Sequence, residues 1–175
     1  MFGELNTPEV MKYAVDATFK VGRVIAGIPS NDAIGAISIL RSAGIDSRLI
    51  ASSITGIIGQ RLIRKLCPQC KQEIVPADKT KSIFEKEKIE INSLFVPKGC
   101  DKCAKTGYSS VTGAFEIIEI TPDVRDLIEN ARSTGEVFKL AQVRTIYQNL
   151  LLKAAEGIIS LDEVLRVSRT GFRLR

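Results

Sequence analysis

The sequence predicts an α/β protein in which a parallel sheet near the N-terminal end gives way to a four-cysteine zinc subdomain and then to a C-terminal helical bundle. Three observations carry this reading. A strand, a helix and a second apolar strand follow one another before Ser30; four cysteines stand in two matched Cys-x-x-Cys pairs; and the last third carries repeated helix-start signals.

Composition sets the bounds. With 175 residues, 45% of them hydrophobic, the chain can bury one good core, or one domain plus a small subdomain. Its 25 Lys and Arg against 20 Asp and Glu give a net charge of +5, which permits contact with phosphates or anionic lipid without demanding it. The absence of histidine excludes a Ser-His-Asp triad, a Cys-His pair and HExxH metalloprotease chemistry. The most apolar region, Ala33 to Leu66, is interrupted by Arg41, Asp46, Arg48 and Arg61, so it offers no clean run of the ~20 residues a bilayer span needs. Met1-Phe2-Gly3-Glu4 has neither the basic region nor the apolar core of a signal peptide, which favours the cytoplasm.

The elements follow in order. Phe2 to Leu5 reads as a buried strand. Thr7 caps a helix with Pro8 at its first position and Glu9 in its first turn, and Val10, Ala14, Ala17 and Val21 mark its expected buried face. Val24 to Ile28 is nearly all apolar, as in a strand covered on both faces. Ser30 or Asn31 can cap the next helix, with Ile34, Ile37 and Leu40 inside and Gly44 as its stop; another helix starts at Asp46. Gln60 to Leu66 is a strand with basic side chains that delivers the chain to Cys67. Pro76 to Lys88 is a polar, lysine-rich helix, and Thr112 to Ile120 is a returning strand whose Glu116 and Glu119 are charges without a catalytic pattern. Helices then start at Thr121-Pro122, with Val124, Leu127, Ile128 and Ala131 on one face, and at Ser133, with a capping box to Glu136. Ile146, Leu150 and Ala154 continue the pattern to Gly157. A second capping box, Ser160 to Glu163, opens the last helix, and Arg166, Arg169, Arg173 and Arg175 form a basic, solvated tail.

The cysteines carry the most specific chemistry. In each pair, Cys67 with Cys70 and Cys100 with Cys103, the spacing can turn both thiolates toward one ion, and two pairs complete a closed tetrahedral shell. The loop between the pairs is long, but closure entropy grows logarithmically, so the excess costs roughly 0.5 kcal/mol. A structural zinc site contributes on the order of 10 kcal/mol. Disulfides need an oxidising compartment, and a redox dithiol uses one pair and leaves the other unexplained. Zinc is the favoured reading; redox, iron and inert thiols compete with it.

ASSITGIIGQRLIRKLCPQC, GCDKCAKTGY and TGAFEIIEITPDVRDLI, in that order, resemble the C-terminal part of the secretion ATPases of type II secretion and type IV pilus assembly. That resemblance implies the C-terminal part, or a degenerate member, of a hexameric RecA-like motor family of P-loop NTPases, with a four-cysteine zinc subdomain and a C-terminal helical bundle. Residues 1–66 would be the partial ATPase core, 67–110 the zinc subdomain, and 111–175 the returning strand and bundle. It further implies a place at the cytoplasmic side of the inner membrane, with the secretion or pilus platform and the N-terminal ATPase half, or further copies, as partners. Gly3-Glu4 matches the end of the family's Walker B segment, so Glu4 is the candidate catalytic residue that orients attacking water. Departures are specific: Asn6-Thr7 replaces an Arg-Asp, Val10 a Thr, Pro29 a His, and Ser109-Ser110-Val111 stands where a Gly-Arg is usual. No Gly-Lys dipeptide occurs, so the Walker A loop GxxxxGK[ST] is missing from these residues and ATP with Mg belongs only to a complete motor. The chain alone is expected to be inactive as an ATPase. The competing reading is a zinc-ribbon-like nucleic-acid or protein-binding module, motivated by Arg61, Arg64, Lys65 and Lys71, although only 6% of the residues are aromatic and can stack on bases.

Overall fold

The computed structural model describes residues 1–130 and 132–169, so Ala131 and the tail residues Arg173 and Arg175 lie outside the described residues. In chain order the elements are α1 (Pro8–Val21), α2 (Gly35–Ser42), α3 (Ser47–Ser53), β1 (Gly56–Leu66), β2 (Gln72–Ile74), α4 (Asp78–Lys86), β3 (Leu94–Val96), β4 (Tyr108–Glu119), α5 (Pro122–Glu129), α6 (Thr134–Leu140), α7 (Ile146–Ala155) and α8 (Leu161–Arg169). They form two compact units that interleave in sequence: Met1–Gly59 with Glu116–Val143, and Gln60–Phe115 with the chain from Arg144 onward.

In the first unit, Thr7 caps α1 by accepting the Val10 N–H at 3.4 Å, as expected. The buried face of α1 is a different one, however. Met11, Ala14 and Val15 point inward, while Val10 and Val21 are 37% and 74% exposed, because the inner stripe is rotated from the expected one and shares only Ala14 with it. The Phe2–Leu5 and Val24–Ile28 segments do run side by side in parallel, yet as a single bridge between Glu4 and Gly27. Three bonds tie it: Phe2 N–H to the Ile25 carbonyl at 2.9 Å, Gly27 N–H to Gly3 at 2.9 Å and Leu5 N–H to Gly27 at 2.8 Å. Expected coverage of the second segment on both faces is not found, since Ile25 is 64% exposed. An apolar run records what a strand could bury, and here Ile25 is left uncovered by the described residues.

Capping of α2 also differs from expectation. Asp32 Oδ1 accepts the Gly35 N–H at 2.8 Å, and Ser30 instead donates its hydroxyl to the Asp32 carbonyl at 2.7 Å. Ile34, Ile37 and Leu40 are buried as read from their spacing, and Asp46 caps α3 through the Arg48 N–H at 2.8 Å. The core joins Ile37 and Ile50 to Ile118, Ile128 and Val137. Two arginines bind carbonyls at and just beyond helix C-termini: Arg41 donates to Ile128 at 3.0 Å and Arg132 at 2.9 Å, and Arg125 donates to Ala51. Glu116 is buried, and its Oε1 accepts the Ala33 N–H at 3.1 Å, so this side chain holds the turn before α2.

β1 and β4 form a two-stranded sheet. Bonds at its ends make it antiparallel, the Ile120 N–H reaching Thr55 at 3.1 Å and the Cys67 N–H reaching Gly107 at 2.9 Å. Within the second unit, Ile63 and Ala114 face the core while Leu62 and Val111 are exposed. β2 and β3, which sequence periodicity did not indicate, pair antiparallel with Gln72 opposite Val96 and Ile74 opposite Leu94. Between them runs α4, polar as expected but anchored by the fully buried Phe84. Ile63, Phe84, Leu94, Leu150, Leu151, Ile159 and Val164 share this core. The expected box at α8 is only half made: Ser160 Oγ accepts the Glu163 N–H at 3.3 Å, but the Glu163 carboxylate is drawn to Arg64 and Arg166. Arg166 is therefore part of an ion-pair group and not of a free basic tail.

Candidate metal centre

Cys67 ends the run of β1, and Cys70 follows in a tight turn closed by the Lys71 N–H on the Cys67 carbonyl at 3.0 Å. The second pair sits on a short 3-10 turn, Asp101–Cys103, with Ala104 and Lys105 in the left-handed region beyond it. Gly107 (φ +77°) joins the pairs: its carbonyl accepts the Cys67 N–H, and its own N–H donates to Cys103 Sγ at 3.2 Å. A side chain there would strike Pro97.

The four sulfurs lie within 4.8 Å of one another. Cys67 to Cys100 is 4.0 Å, Cys70 to Cys103 is 3.8 Å and Cys100 to Cys103 is 3.7 Å. A tetrahedral ion with metal–sulfur bonds of about 2.3 Å requires sulfurs about 3.8 Å apart, whereas a disulfide brings them to about 2 Å. All four are free thiols in this geometry. Cys67 and Cys103 are buried and the other two half-buried, so the cluster is enclosed by its own knuckles. N–H groups of Cys100 and Gly107 point at Cys103 and hold its thiol down at about 6, as a thiolate ligand requires. Burial pushes the Cys70 thiol up to about 11, and a bound cation would reverse that. The donor set, spacing and amide bonds all fit a metal ion held by Cys67, Cys70, Cys100 and Cys103.

Other residues singled out from sequence have different settings. Glu4 is exposed on the parallel bridge to Gly27 in the first unit. Of the four basic residues near the knuckles, Arg64 is bound to Glu163 at 2.8 Å and lies 4.2 Å over the Tyr108 ring, and Lys71 donates to the Gly157 carbonyl at 2.8 Å and lies 4.3 Å over Phe95. Committed in this way, Arg64 and Lys71 do not form a phosphate-reading row with Arg61 and Lys65, which weakens the nucleic-acid reading.

Sequence reasoning missed the hub at Glu163. This carboxylate is fully buried and accepts the Arg64 backbone N–H at 2.9 Å, the Arg64 guanidinium at 2.8 and 3.1 Å, and Arg166 at 2.6 and 2.9 Å. Burial alone would raise its pKa, but bonds from Arg166 and Arg64 outweigh that and bring it to about 2. Its Ser-x-x-Glu spacing is the only local signal, and that signal points to a cap.

Three kinds of similarity bear on this arrangement. The family described as "Type II/IV secretion system protein" matches residues 1–166. Type II secretion system ATPase E of Vibrio cholerae is 34% identical over 97% of this chain and 34% of its own length, and a putative type II secretion system protein E of Escherichia coli is 33% identical over 96% and 34%. Type IV pilus assembly ATPase PilB of Thermus thermophilus is 32% identical over 94% of this chain and 19% of its own. The chain thus spans about a third or less of the length of these relatives. In structure it resembles the Yersinia pseudotuberculosis ATPase DotB, with TM-score 0.62, 17% identity and coverage of 95% and 36%, and the pilus retraction motor PilT, with TM-score 0.61, 19% identity and coverage of 95% and 38%. At such identities the structural likeness speaks for a shared α/β fold. No helix among the described residues is long and apolar enough to cross a membrane.

Proposed function

Because the chain belongs to the type II/IV secretion system protein family, we propose that its residues serve as the C-terminal part of a hexameric, ATP-driven motor for protein export or pilus assembly. In this reading residues 1–66 belong to the RecA-like core, 67–110 form a zinc subdomain, and 111–175 return a strand and close with helices. Family membership along nearly the whole chain is the observation that carries it. Zinc, bound by Cys67, Cys70, Cys100 and Cys103, would supply cross-linking of the two knuckles and no chemistry on nucleotide. The chain's own residues set that site up: Gly107 and Cys100 amides hold the Cys103 sulfur, and the half-buried pair faces outward.

Residues 1–175 do not hydrolyse ATP by themselves. Phosphoryl transfer depends on positioning and charge neutralisation, and the Gly-Lys of the phosphate-cradling loop is not among these residues. Glu4 takes the water-orienting role only when a neighbouring half, or further copies, complete the site at the inner-membrane platform. The exposed Tyr13, Phe19 and Ile25 of the first unit supply apolar surface for that association. Elemental analysis and phosphate release on purified protein test the reading together. About one zinc per chain and no release are expected; steady release abolished by Glu4→Gln would overturn it.

A further inference from the structure

Besides the hydrogen bonds that α7, the α7–α8 turn and α8 make among themselves, four polar contacts reach the turn and the start of α8 from residues close in sequence to the metal-site cysteines. Leu66, adjacent to Cys67, donates its N–H to the Ile158 carbonyl at 2.9 Å. Lys71, adjacent to Cys70, donates to the Gly157 carbonyl at 2.8 Å. Tyr108 follows Gly107, whose amide holds Cys103 Sγ, and its hydroxyl shares a 3.0 Å hydrogen bond with that of the buried Ser160. Arg64, three residues before Cys67, binds Glu163 through backbone and guanidinium. The turn itself is intolerant of change, because Gly157 has φ +67° and a Cβ there would lie 2.5 Å from Phe95. α7 places Ile146, Leu150, Leu151 and Ala154 in the apolar core, where Ile159, Val164 and Val167 join them, but none of the four contacts is made to α7 itself.

We infer that metal occupancy of the four-cysteine cluster governs the stability of the α7–α8 turn and of α8, so that metal loss releases residues 157–168 as a unit ahead of α7. This rests on the reading that the cluster holds a metal ion. The four sulfurs, once bound, fix the backbone at residues 66–71 and 103–108, which holds three of the donors, Leu66, Lys71 and Tyr108, directly, and the end of the strand that carries Arg64. Without the ion the first segment is a short turn, and the second carries non-glycine residues at positive φ, Ala104 and Lys105. They then lose the order that the donors require. Coupling of this kind is reciprocal, so weakening the turn must weaken the metal.

The experiment uses the whole chain with zinc as the probe, its content measured on the same samples. Hydrogen exchange followed by mass spectrometry compares zinc-loaded and chelator-treated protein. Peptides covering 157–168 are expected to exchange at least tenfold faster after chelation, with those covering 146–155 changing by less than about threefold. Zinc competition against a chromophoric chelator then reads the reverse direction: Tyr108→Phe and Lys71→Met, neither a ligand, are each expected to weaken zinc by about fivefold, at the low end of ordinary couplings. Loaded protein in which both regions exchange alike with and without zinc, or unchanged zinc affinity in both variants, overturns the inference while leaving the metal site standing. Protein that binds no zinc overturns both. Should a variant fail to fold, the exchange comparison on the unaltered chain still decides.

Discussion

The two units solve the same problem with different means. The first, residues 1–59 with 116–143, relies on an apolar core around Ile37, Ile50, Ile118 and Ile128, with arginines closing helix ends. The second has a comparable core around Phe84, Leu150 and Ile159, and adds a four-sulfur cluster and a buried carboxylate held by two arginines. Where apolar segments are short, as with the three-residue β2 and β3, burial alone cannot fix the chain, and polar or metal cross-links carry the specificity.

The largest break in that contrast is metal removal. Metal binding at such a site is coupled to local folding, so chelation or Cys103→Ser should lower and broaden the melt of the second unit, with its apolar core around α7 retained, while the first keeps its own transition. Limited proteolysis would show cuts between residues 67 and 107 first; equal loss in both units would show that the units are not separately supported. Next in size are core truncations, which should cost both units alike: about 3–5 kcal/mol for Phe84→Ala and about 2–5 kcal/mol for Ile37→Ala, read from denaturant midpoints.

Glu163→Gln should cost about 3 kcal/mol, since it leaves Arg64 and Arg166 without their anion. The pH dependence follows from the same group. Its folded pKa, about 2, is depressed below the ordinary 4.5, so its stabilising contribution is complete above about pH 4.5 and disappears as pH falls toward 2. In Glu163→Gln the acid limb of the stability curve should flatten; an unchanged limb would assign acid sensitivity elsewhere. Smallest is the cap of α3: Asp46→Ala removes the acceptor of the Arg48 N–H and should lower the thermal midpoint of the first unit by the least of these changes.

What sequence could and could not reveal follows the range of the physics. The caps read at Thr7 and Ser133 and the helix starts read at Asp46 and Thr121 depend on contacts within three residues, and all four are found. The cysteine spacing was equally legible, because the geometry of a knuckle is local and only one partner pair exists. The inward face of α1 was not, since Val10 and Met11 are both apolar and the choice between them depends on packing partners far along the chain. Glu163 was misread for the same reason: a local acceptor was available at Ser160, but a guanidinium 99 positions earlier in the chain bound it more strongly.

Interleaving has a consequence for synthesis. Residues 1–59 leave the ribosome with Ile37 and Ile50 ready to be buried, but Ile118, Ile128 and Val137, against which they pack, come only after the whole of 60–115. At about 5–20 residues per second, that half-built core waits several seconds with its apolar side open. All four cysteines emerge within this interval. A nascent chain starved of metal would therefore carry two unfinished regions at once, and factors that shield emerging apolar segments would be needed longest between the translation of Gly59 and Val137.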